Sequence, residues 1–311
     1  MIKNIIEIII VSILLVGISY SQTFSLFQIS DLDVLKKSAN SSTTHQKEIE
    51  VLKYLSDKAI KEAPYTITKY SAPKMDGASK NDYYSDSPYW WPVEGDSTAP
   101  YFRKDGERNP DRFMDHKDEL SKFYKGIMSI AYYSYITGKN NYAKDANEML
   151  KIWFINDNTK MNPNLKYSQL IRNKTQRRGV GIIDGRRLAV LTEAVLLLNK
   201  MGQLDEEVFE GIKTWYSDLL TWLTTSYYGI DEKERGNNHS TWWSFQVAII
   251  SSFVQSGSEI QKLDDYTKHY LLDNQIDENA RQPMEEARTK SLSYSTFNLT
   301  AHSLLNSVLS K

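Results

Sequence analysis

The sequence predicts an all-α protein, and three observations lead to that fold class. Among its 311 residues only 14 are Gly and 8 are Pro, whereas these two residue types usually make up about 12% of a protein. Several segments carry apolar residues at the three- and four-residue spacing of an amphipathic helix. No convincing stretch alternates apolar and polar residues as a half-buried strand does. Antiparallel helices of similar length are typical of a stacked or toroidal arrangement.

The predicted helices follow one another along most of the chain. In 204–225, for example, Val208, Ile212, Trp215 and Leu219 recur on one helical face. The segments with helical spacing are 48–61, 115–136, 142–154, 183–200, 204–225, 242–254, 260–272 and 297–309. The segment 63–99 interrupts them, because Pro, Gly, Ser, Asp and Tyr dominate it. An irregular segment of that length is usually functional or disordered, and its aromatic content argues against disorder.

The N-terminus has the features of an export signal. Lys3 precedes an apolar run that is interrupted by Glu7 and is shorter than the ~20 residues of a membrane span. Ser19 and Ser21 stand at the −3 and −1 positions of a signal-peptidase site before Gln22. We therefore expect residues 1–21 to be a signal peptide and 22–311 to be one exported domain, periplasmic or secreted; the alternative is an uncleaved anchor.

Charge and cysteine content exclude several classes of protein. The chain has 38 Lys and Arg against 39 Asp and Glu, which argues against a nucleic-acid binder. It has no Cys, so disulfides, thiolate metal sites and a Cys nucleophile are excluded. We expect no metal and no cofactor, because no calcium loop is visible and the histidines lack metal-binding spacing. The five histidines are at positions 45, 116, 239, 269 and 302.

Aromatic residues concentrate in the breaker-rich segment that follows the first predicted helix. Rings on such a segment can stack against the faces of sugars, and neighbouring Arg and Lys can pair with carboxylates. The alternative is a segment folded over the core with its rings inward. The candidate stacking residues are Tyr83, Tyr84, Tyr89, Trp90 and Trp91.

Two further clusters carry groups suited to proton transfer and anion binding. Asn237, Asn238 and His239 stand just before a predicted helix, where an imidazole can accept a proton and an amide can stabilise an oxyanion. The alternative is an N-cap by Asn238 or Ser240. Arg288 offers a fork for a carboxylate and Tyr294 a phenol; alone, this pair is more often part of an exposed charged turn.

Together these clusters resemble the alginate-lyase-type polysaccharide lyases. The motifs are SPYWWP (87–92), RKDGERNP (103–110), MNPNLKYSQ (161–169), RGVGIIDGR (178–186), NNHSTW (237–242) and the segment 281–298. The resemblance implies an (α/α) toroid or incomplete barrel of antiparallel helical hairpins. It also implies an exported, metal-free enzyme that cleaves an anionic uronate polysaccharide by β-elimination. By resemblance, Asn238, His239, Arg288 and Tyr294 match the family's catalytic set.

β-Elimination removes the proton on C5 of a uronate and expels the oxygen on C4. The enzyme must neutralise the uronate carboxylate and supply a base and an acid. Asn238, His239 and Arg288 are expected to form the neutralising shell, and Tyr294 to be the acid. Tyr294 is also the expected base where the proton and leaving group share a face, and His239 where they do not. Arg288 is expected to help lower the pKa of Tyr294.

The remaining motifs are interpreted as substrate subsites. Asn162, Asn164 and Gln169 offer neutral hydrogen bonds to hydroxyl groups. Arg178 and Arg186 are candidates to pair with neighbouring carboxylates, although Arg186 beside an apolar helix is equally suited to a core ion pair. Asn237 completes the predicted substrate-binding set.

Two other functions remain open. A glycoside hydrolase on a similar toroid needs two carboxylates across the scissile bond, for which Asp184, Glu193, Glu285 and Glu286 are candidates. A non-catalytic uronan-binding protein is the other alternative. After Tyr294 the sequence has room for one more helix before Lys311, whereas members of the family usually continue through further helical hairpins. We therefore expect an open toroid, shortened at its C-terminus.

Overall fold

The computed structural model describes residues 24–39, 41–73, 75–174 and 177–311. The predicted signal peptide, residues 1–21, lies outside these residues. Helices make up 62% of the structure and strands 5%, so the all-α prediction is confirmed. In this part of the chain, no helix is both long and apolar enough to cross a membrane.

The predicted helices appear in the predicted order, and the structure adds further short helical segments. Short 3-10 segments lie at Ile67–Lys69 and Val180–Gly185, and a π-helical turn lies at Thr267–Leu271. The α-helices of the described residues are α1 (Ile29–Ser38), α2 (Thr43–Glu62), α3 (Asp115–Thr137), α4 (Ala143–Phe154), α5 (Arg186–Lys200), α6 (Glu206–Thr225), α7 (Tyr227–Lys233), α8 (Asn238–Val254), α9 (Gly257–Tyr266), α10 (Leu272–Gln275), α11 (Pro283–Glu286) and α12 (Ser291–Leu309).

Helix α8 lies at the centre of the helical packing. Every residue from Ser240 to Ser251 is buried, and most of them are apolar, as is typical of a helix enclosed on all sides. It packs against α5, α6, α7, α9 and α12. Its first turn, which carries Asn238 and His239, is therefore fixed relative to five other helices.

Much of the aromatic content lies in the core. Phe123 stacks on Trp153 with ring centroids 4.5 Å apart, and Phe154 meets Trp215 edge-on at 4.9 Å. Tyr216 extends this cluster at 5.5 Å from Phe154. Such ring pairs add stabilisation beyond the area they bury. Other aromatic rings, such as those of Tyr54 and Phe102, lie at the surface.

The structure also contains two small sheets that the sequence pattern did not predict. β1 (Tyr84–Asp86) pairs in parallel with β4 (Tyr167–Leu170), and β2 (Trp90–Trp91) pairs antiparallel with β3 (Phe102–Arg103). Runs of two to four residues are too short for alternation to be recognised. The sheets matter because they hold the aromatic segment against the helical core.

The start of α8 differs from its prediction for a local reason. The apolar run begins at Trp242, but the helix begins at Asn238 because the side chain of Asn237 accepts a hydrogen bond from the His239 N–H at 3.0 Å. Asn237 is thus the N-cap, rather than Asn238 or Ser240. Helices α1, α7 and α11, of ten, seven and four residues, were missed because they are shorter than the window in which periodicity is measured.

Asp184 is a buried hub that joins the aromatic segment to the helices. One carboxylate oxygen accepts hydrogen bonds from Ser85 at 2.7 Å and Tyr83 at 3.3 Å. The other accepts from Lys117 at 2.6 Å and Gln169 at 3.1 Å. Burial opposes the charged form of Asp184, but Lys117 and these hydrogen bonds outweigh it and lower the pKa.

Replacing Asp184 with Ala is expected to lower the free energy of unfolding by about 3–5 kcal/mol, because Lys117 loses its partner in a buried site. Urea denaturation followed by circular dichroism measures the change. The matched control is Asp157→Ala, since the Asp157 side chain is 88% exposed in its pair with Lys160 and should matter little. Equal stability of the two variants would contradict the role of Asp184 as a hub.

Candidate functional site

The candidate site begins at the first turn of α8. Gly236 has a positive φ of 69°, a conformation that glycine adopts without a steric penalty. Its N–H donates to the Ser240 hydroxyl at 2.8 Å. This turn and the Asn237 cap direct Asn238 and His239 toward different partners.

Asn238 is held by Glu285 of α11. The backbone N–H of Asn238 donates to Glu285 at 2.6 Å, and its side-chain amide donates to both carboxylate oxygens at 2.9 Å. Both side chains are almost fully buried. The predicted donation from Asn238 to a substrate carboxylate is corrected here, because its donors are engaged by Glu285. In this arrangement Asn238 instead fixes α11, and with it the chain leading to Arg288, against α8.

In this turn, His239 has a side chain that is partly exposed and keeps one ring nitrogen available. Its Nδ1 lies 2.7 Å from Oε1 of Glu232, and the side chain is 20% exposed. Its Nε2 makes no hydrogen bond within the described residues. An imidazole held at one nitrogen and open at the other has the arrangement of a general base.

Arg288 forms a two-pronged ion pair with Asp105, which follows β3. Its Nη2 lies 2.7 Å from Asp105 Oδ1, and its Nε lies 3.2 Å from both carboxylate oxygens. This pairing holds the pKa of the Asp105 carboxyl well below its usual range. The Nη1 atom of Arg288 makes no hydrogen bond within the described part of the chain, so one donor face is available to another anion.

Tyr294 lies against Arg288. The guanidinium carbon is 3.8 Å from the centre of the Tyr294 ring, and the Tyr294 hydroxyl donates to the Tyr89 hydroxyl at 2.8 Å. Burial, followed by the hydrogen bond with Tyr89, raises the pKa of Tyr294, and the opposing effect of Arg288 is smaller. Arg288 thus acts in the expected direction, but the expected net fall in the pKa of Tyr294 is wrong for the arrangement observed.

Packing between α8 and α12 connects these groups. Trp242, one turn beyond Asn238, lies 4.8 Å from Phe297, which is three residues beyond Tyr294. Arg288 and Tyr294 are in direct contact, and Glu285 links their segment to Asn238. No hydrogen bond joins His239 to Arg288 or Tyr294 among the described residues.

The five candidate stacking residues differ in burial. Tyr83 and Tyr84 are 1% and 3% exposed, and their hydroxyls donate to Asp184 and Asp86. Their assignment as sugar-stacking residues is corrected, because neither ring has a free face. Tyr89, Trp90 and Trp91 are partly exposed and keep that assignment as a prediction.

The two tryptophans are each covered by a lysine. Lys174 lies 4.2 Å from the Trp90 ring and Lys104 lies 4.5 Å from the Trp91 ring. The hairpin β2–β3 thus combines flat rings with cations, which is suitable chemistry for a sugar that carries a carboxylate.

The three residues predicted as neutral subsite residues make hydrogen bonds within the protein. Asn162 and Asn164 donate to Asp82 at 2.8 and 3.5 Å. Gln169 is 8% exposed and donates to Asp184. The prediction that Gln169 offers hydrogen bonds to sugar hydroxyls is corrected, because its side chain is buried. Asn162 and Asn164 are partly exposed and keep that assignment as a prediction.

The two predicted carboxylate-binding arginines are partly buried without an ion pair among the described residues. Arg186 donates to the Ile183 carbonyl at 2.9 Å, and its guanidinium lies 5.7 Å from the Trp242 ring. A core ion pair is therefore not its role. Burial, with Arg235 nearby, lowers the pKa of Arg178 to about 10.

Sequence reasoning did not assign Asp105 or Glu232 to the site, and it considered Glu285 only as a hydrolase carboxylate. Asp105 lies in the RKDGERNP motif, and Glu232 lies in a charged run, DEKERG, that has the composition of a solvated surface. Asp105 is distinguished from an ordinary surface charge by Arg288, 183 residues away. Glu232 is distinguished by its burial and by its contact with His239.

Each of the four carboxylates proposed for a hydrolase has its own partner within the protein. Asp184 is the hub of the aromatic segment, and Glu285 holds Asn238. Glu193 accepts hydrogen bonds from the backbone of Ser25 and Leu26, and Glu286 pairs with Arg281. None of these contacts arranges two of them as an acid and a base across one bond. Within the described residues, no three Asp, Glu or His side chains are grouped so that they could hold a metal ion.

Comparison with known proteins gives a consistent result. Residues 66–311 match the alginate lyase family model. No curated protein matches the chain. An alginate lyase from Bacteroides ovatus is 30% identical, with a TM-score of 0.85 over 93% of this chain and 76% of that one.

Two more distant structures show the same fold at 17% identity. Alginate lyase A1-III from Sphingomonas species A1 has a TM-score of 0.54, with 90% of this chain and 69% of that chain covered. A histidine-to-alanine variant of alginate lyase A1-III, complexed with a tetrasaccharide, has a TM-score of 0.56, with 90% and 68% covered. The predicted (α/α) toroid is thereby confirmed, and this chain belongs to the alginate lyase family of polysaccharide lyases.

Proposed function

We propose that the protein cleaves a uronate polysaccharide, alginate first and glucuronan second, by β-elimination without a metal ion. The product end is a 4,5-unsaturated uronate. We place the reaction outside the cytoplasm, in the periplasm or the medium, in line with the export signal expected in residues 1–21. The family supports lyase chemistry, and the side chains of the site suggest how it proceeds.

The proposed roles follow from which atoms remain available. Arg288 Nη1 donates to the carboxylate of the reacting uronate. The positive charge of the guanidinium offsets the repulsion between that carboxylate and the negative charge that develops during the reaction. Tyr294 gives its proton to O4, since its raised pKa keeps the phenol protonated at neutral pH. His239 Nε2 removes the C5 proton where that proton and O4 lie on opposite faces of the sugar. Where they lie on the same face, Tyr294 must first lose its own proton to act as the base.

One observation carries this proposal: the Arg288 guanidinium lies directly on the Tyr294 ring. A uronate carboxylate and its O4 are separated by only two ring carbons, so one sugar can meet both groups. The hydroxyl partner Tyr89 and the Trp90 and Trp91 rings lie on the same segment and provide a surface for neighbouring sugars.

Incubation with separate mannuronate-rich, guluronate-rich and glucuronate polymers tests the function. We expect ultraviolet absorbance from unsaturated ends to increase with alginate fractions most strongly, with or without a metal chelator. New reducing ends without that absorbance would indicate hydrolysis and contradict the proposal. Binding of every polymer without any new end would indicate a non-catalytic binding protein.

A further inference from the structure

Glu232 is a fully buried carboxylate whose hydrogen-bonding partner is His239. Its side chain has no exposed surface, and Oε1 lies 2.7 Å from His239 Nδ1. Its other oxygen, Oε2, is buried with no hydrogen-bond partner. A buried carboxylate oxygen without a hydrogen-bond partner lowers the stability of the fold. The presence of Glu232 at this position therefore calls for a role other than stability.

The backbone around Glu232 is closely fixed. A Cβ on Gly179 would lie 2.1 Å from the Tyr228 carbonyl oxygen and 2.8 Å from the Glu232 nitrogen, so only glycine permits this approach. The Ser240 hydroxyl also donates to the Glu232 carbonyl at 3.3 Å. Helix α7 thus holds the carboxylate in one place relative to the first turn of α8.

We propose that Glu232 is the positioning residue that keeps the proton of neutral His239 on Nδ1 and leaves Nε2 as the proton acceptor. This inference rests on the proposed function, since it concerns the base of that reaction. A carboxylate can only accept at this distance, so a neutral imidazole facing it must carry its hydrogen on Nδ1. The ring is thereby also held in one orientation.

The same carboxylate assists the chemical step. The C5–H bond breaks and its proton moves to His239 Nε2, while the electron pair forms the C4–C5 double bond. The C4–O4 bond breaks, and O4 receives the proton of Tyr294. His239 is then an imidazolium whose charge is stabilised by the buried carboxylate, as the aspartate of a Ser-His-Asp triad does.

Burial raises the pKa of Glu232, and the opposing effects of His239 and then Arg235 offset only part of that rise. Arg235 is itself paired with Asp231. Among the groups around Glu232, His239 is thus the main one that opposes the effect of burial on this pKa.

The decisive variant is Glu232→Gln, which keeps the size of the side chain but removes its charge. It also adds an amide donor that permits the other tautomer of His239. We expect kcat to fall by at least about 10-fold and by up to about 10⁴-fold, the loss that follows when the aspartate behind the histidine of a Ser-His-Asp triad becomes asparagine. KM should change by less than about threefold, because substrate contacts are kept. Glu234→Gln, two residues further along and exposed, is the matched control and should retain full activity.

A spectroscopic measurement separates positioning from simple structural support. In protein labelled with ¹⁵N-histidine, the His239 signals are identified by their absence in His239→Ala. We expect a protonated Nδ1 in the wild type and a loss of that tautomer preference in Glu232→Gln, with an unchanged melting temperature. A wild-type His239 protonated on Nε2, or an unchanged kcat in Glu232→Gln, would overturn the inference.

A fall in kcat that accompanies a loss of thermal stability, with the tautomer unchanged, would also overturn it. Different outcomes would contradict the proposed function: a wild type that releases no unsaturated products, or a fully active His239→Ala variant. The tautomer of His239 can be read in either case, because it does not depend on turnover.

Discussion

Replacing Tyr294 with Phe is expected to lower kcat by about 10²- to 10⁴-fold, the usual contribution of a general acid or base. The substitution removes one hydroxyl and keeps the ring on which Arg288 lies at 3.8 Å. Binding of an oligouronate should therefore change little, since the carboxylate donor and the stacking surface remain. The rate of ultraviolet absorbance increase gives kcat, and isothermal titration calorimetry gives the affinity.

The matched control is Tyr54→Phe, which removes a hydroxyl from a ring that is 64% exposed on α2. It should behave as the wild type in both measurements. A Tyr294→Phe protein with near-wild-type turnover would remove Tyr294 from the mechanism. A protein that loses binding instead would indicate that the hydroxyl holds substrate rather than transferring a proton.

The raised pKa of Tyr294 bears on which role it performs. Burial and the Tyr89 hydroxyl favour the neutral phenol, so the proton needed by O4 is in place at neutral pH. Activity that depends on Tyr294 as an acid is then kept until the pH rises through this raised pKa. Activity that depends on it as a base would instead increase toward alkaline pH. The shape of the pH profile on each polymer therefore shows which assignment applies.

The sequence is sufficient to predict the helices because their apolar residues recur over many turns. Helix α6, for instance, carries Val208, Ile212 and Leu219 on its buried face, and its predicted and observed spans agree closely. The strands and the start of α8 could not be located in this way. They depend on single hydrogen bonds, such as that from the His239 N–H to Asn237.

The candidate site was only partly predictable for a related reason. His239, Arg288 and Tyr294 stand in recognisable motifs, and the structure brings Arg288 and Tyr294 into contact. Their carboxylate partners cannot be recognised locally. Asp105 is 183 residues from Arg288, and Glu232 lies in a run of charges on a short helix. Burial, which separates Tyr83 from Trp91 as a stacking candidate, also depends on tertiary packing.

Replacing His239 with Ala is expected to lower kcat by about 10²- to 10⁴-fold on substrates whose C5 proton lies opposite O4. In that geometry the phenol of Tyr294 is on the leaving-group side and cannot also reach the proton. His269→Ala is the matched control, because His269 is exposed, and it should keep wild-type turnover. Stopped assays on guluronate-rich and mannuronate-rich polymers compare the two variants.

The dependence on polymer makes the His239 experiment more informative than a simple loss of activity. On a substrate whose proton and leaving group share a face, Tyr294 serves both ends and His239 only helps to neutralise the carboxylate. The loss in His239→Ala should then be smaller and expressed partly in KM. Equal losses on both polymers would give His239 one role irrespective of geometry. Full activity on both would mean that the open Nε2 beside Glu232 is not the base, and that the proton leaves C5 by way of Tyr294 alone.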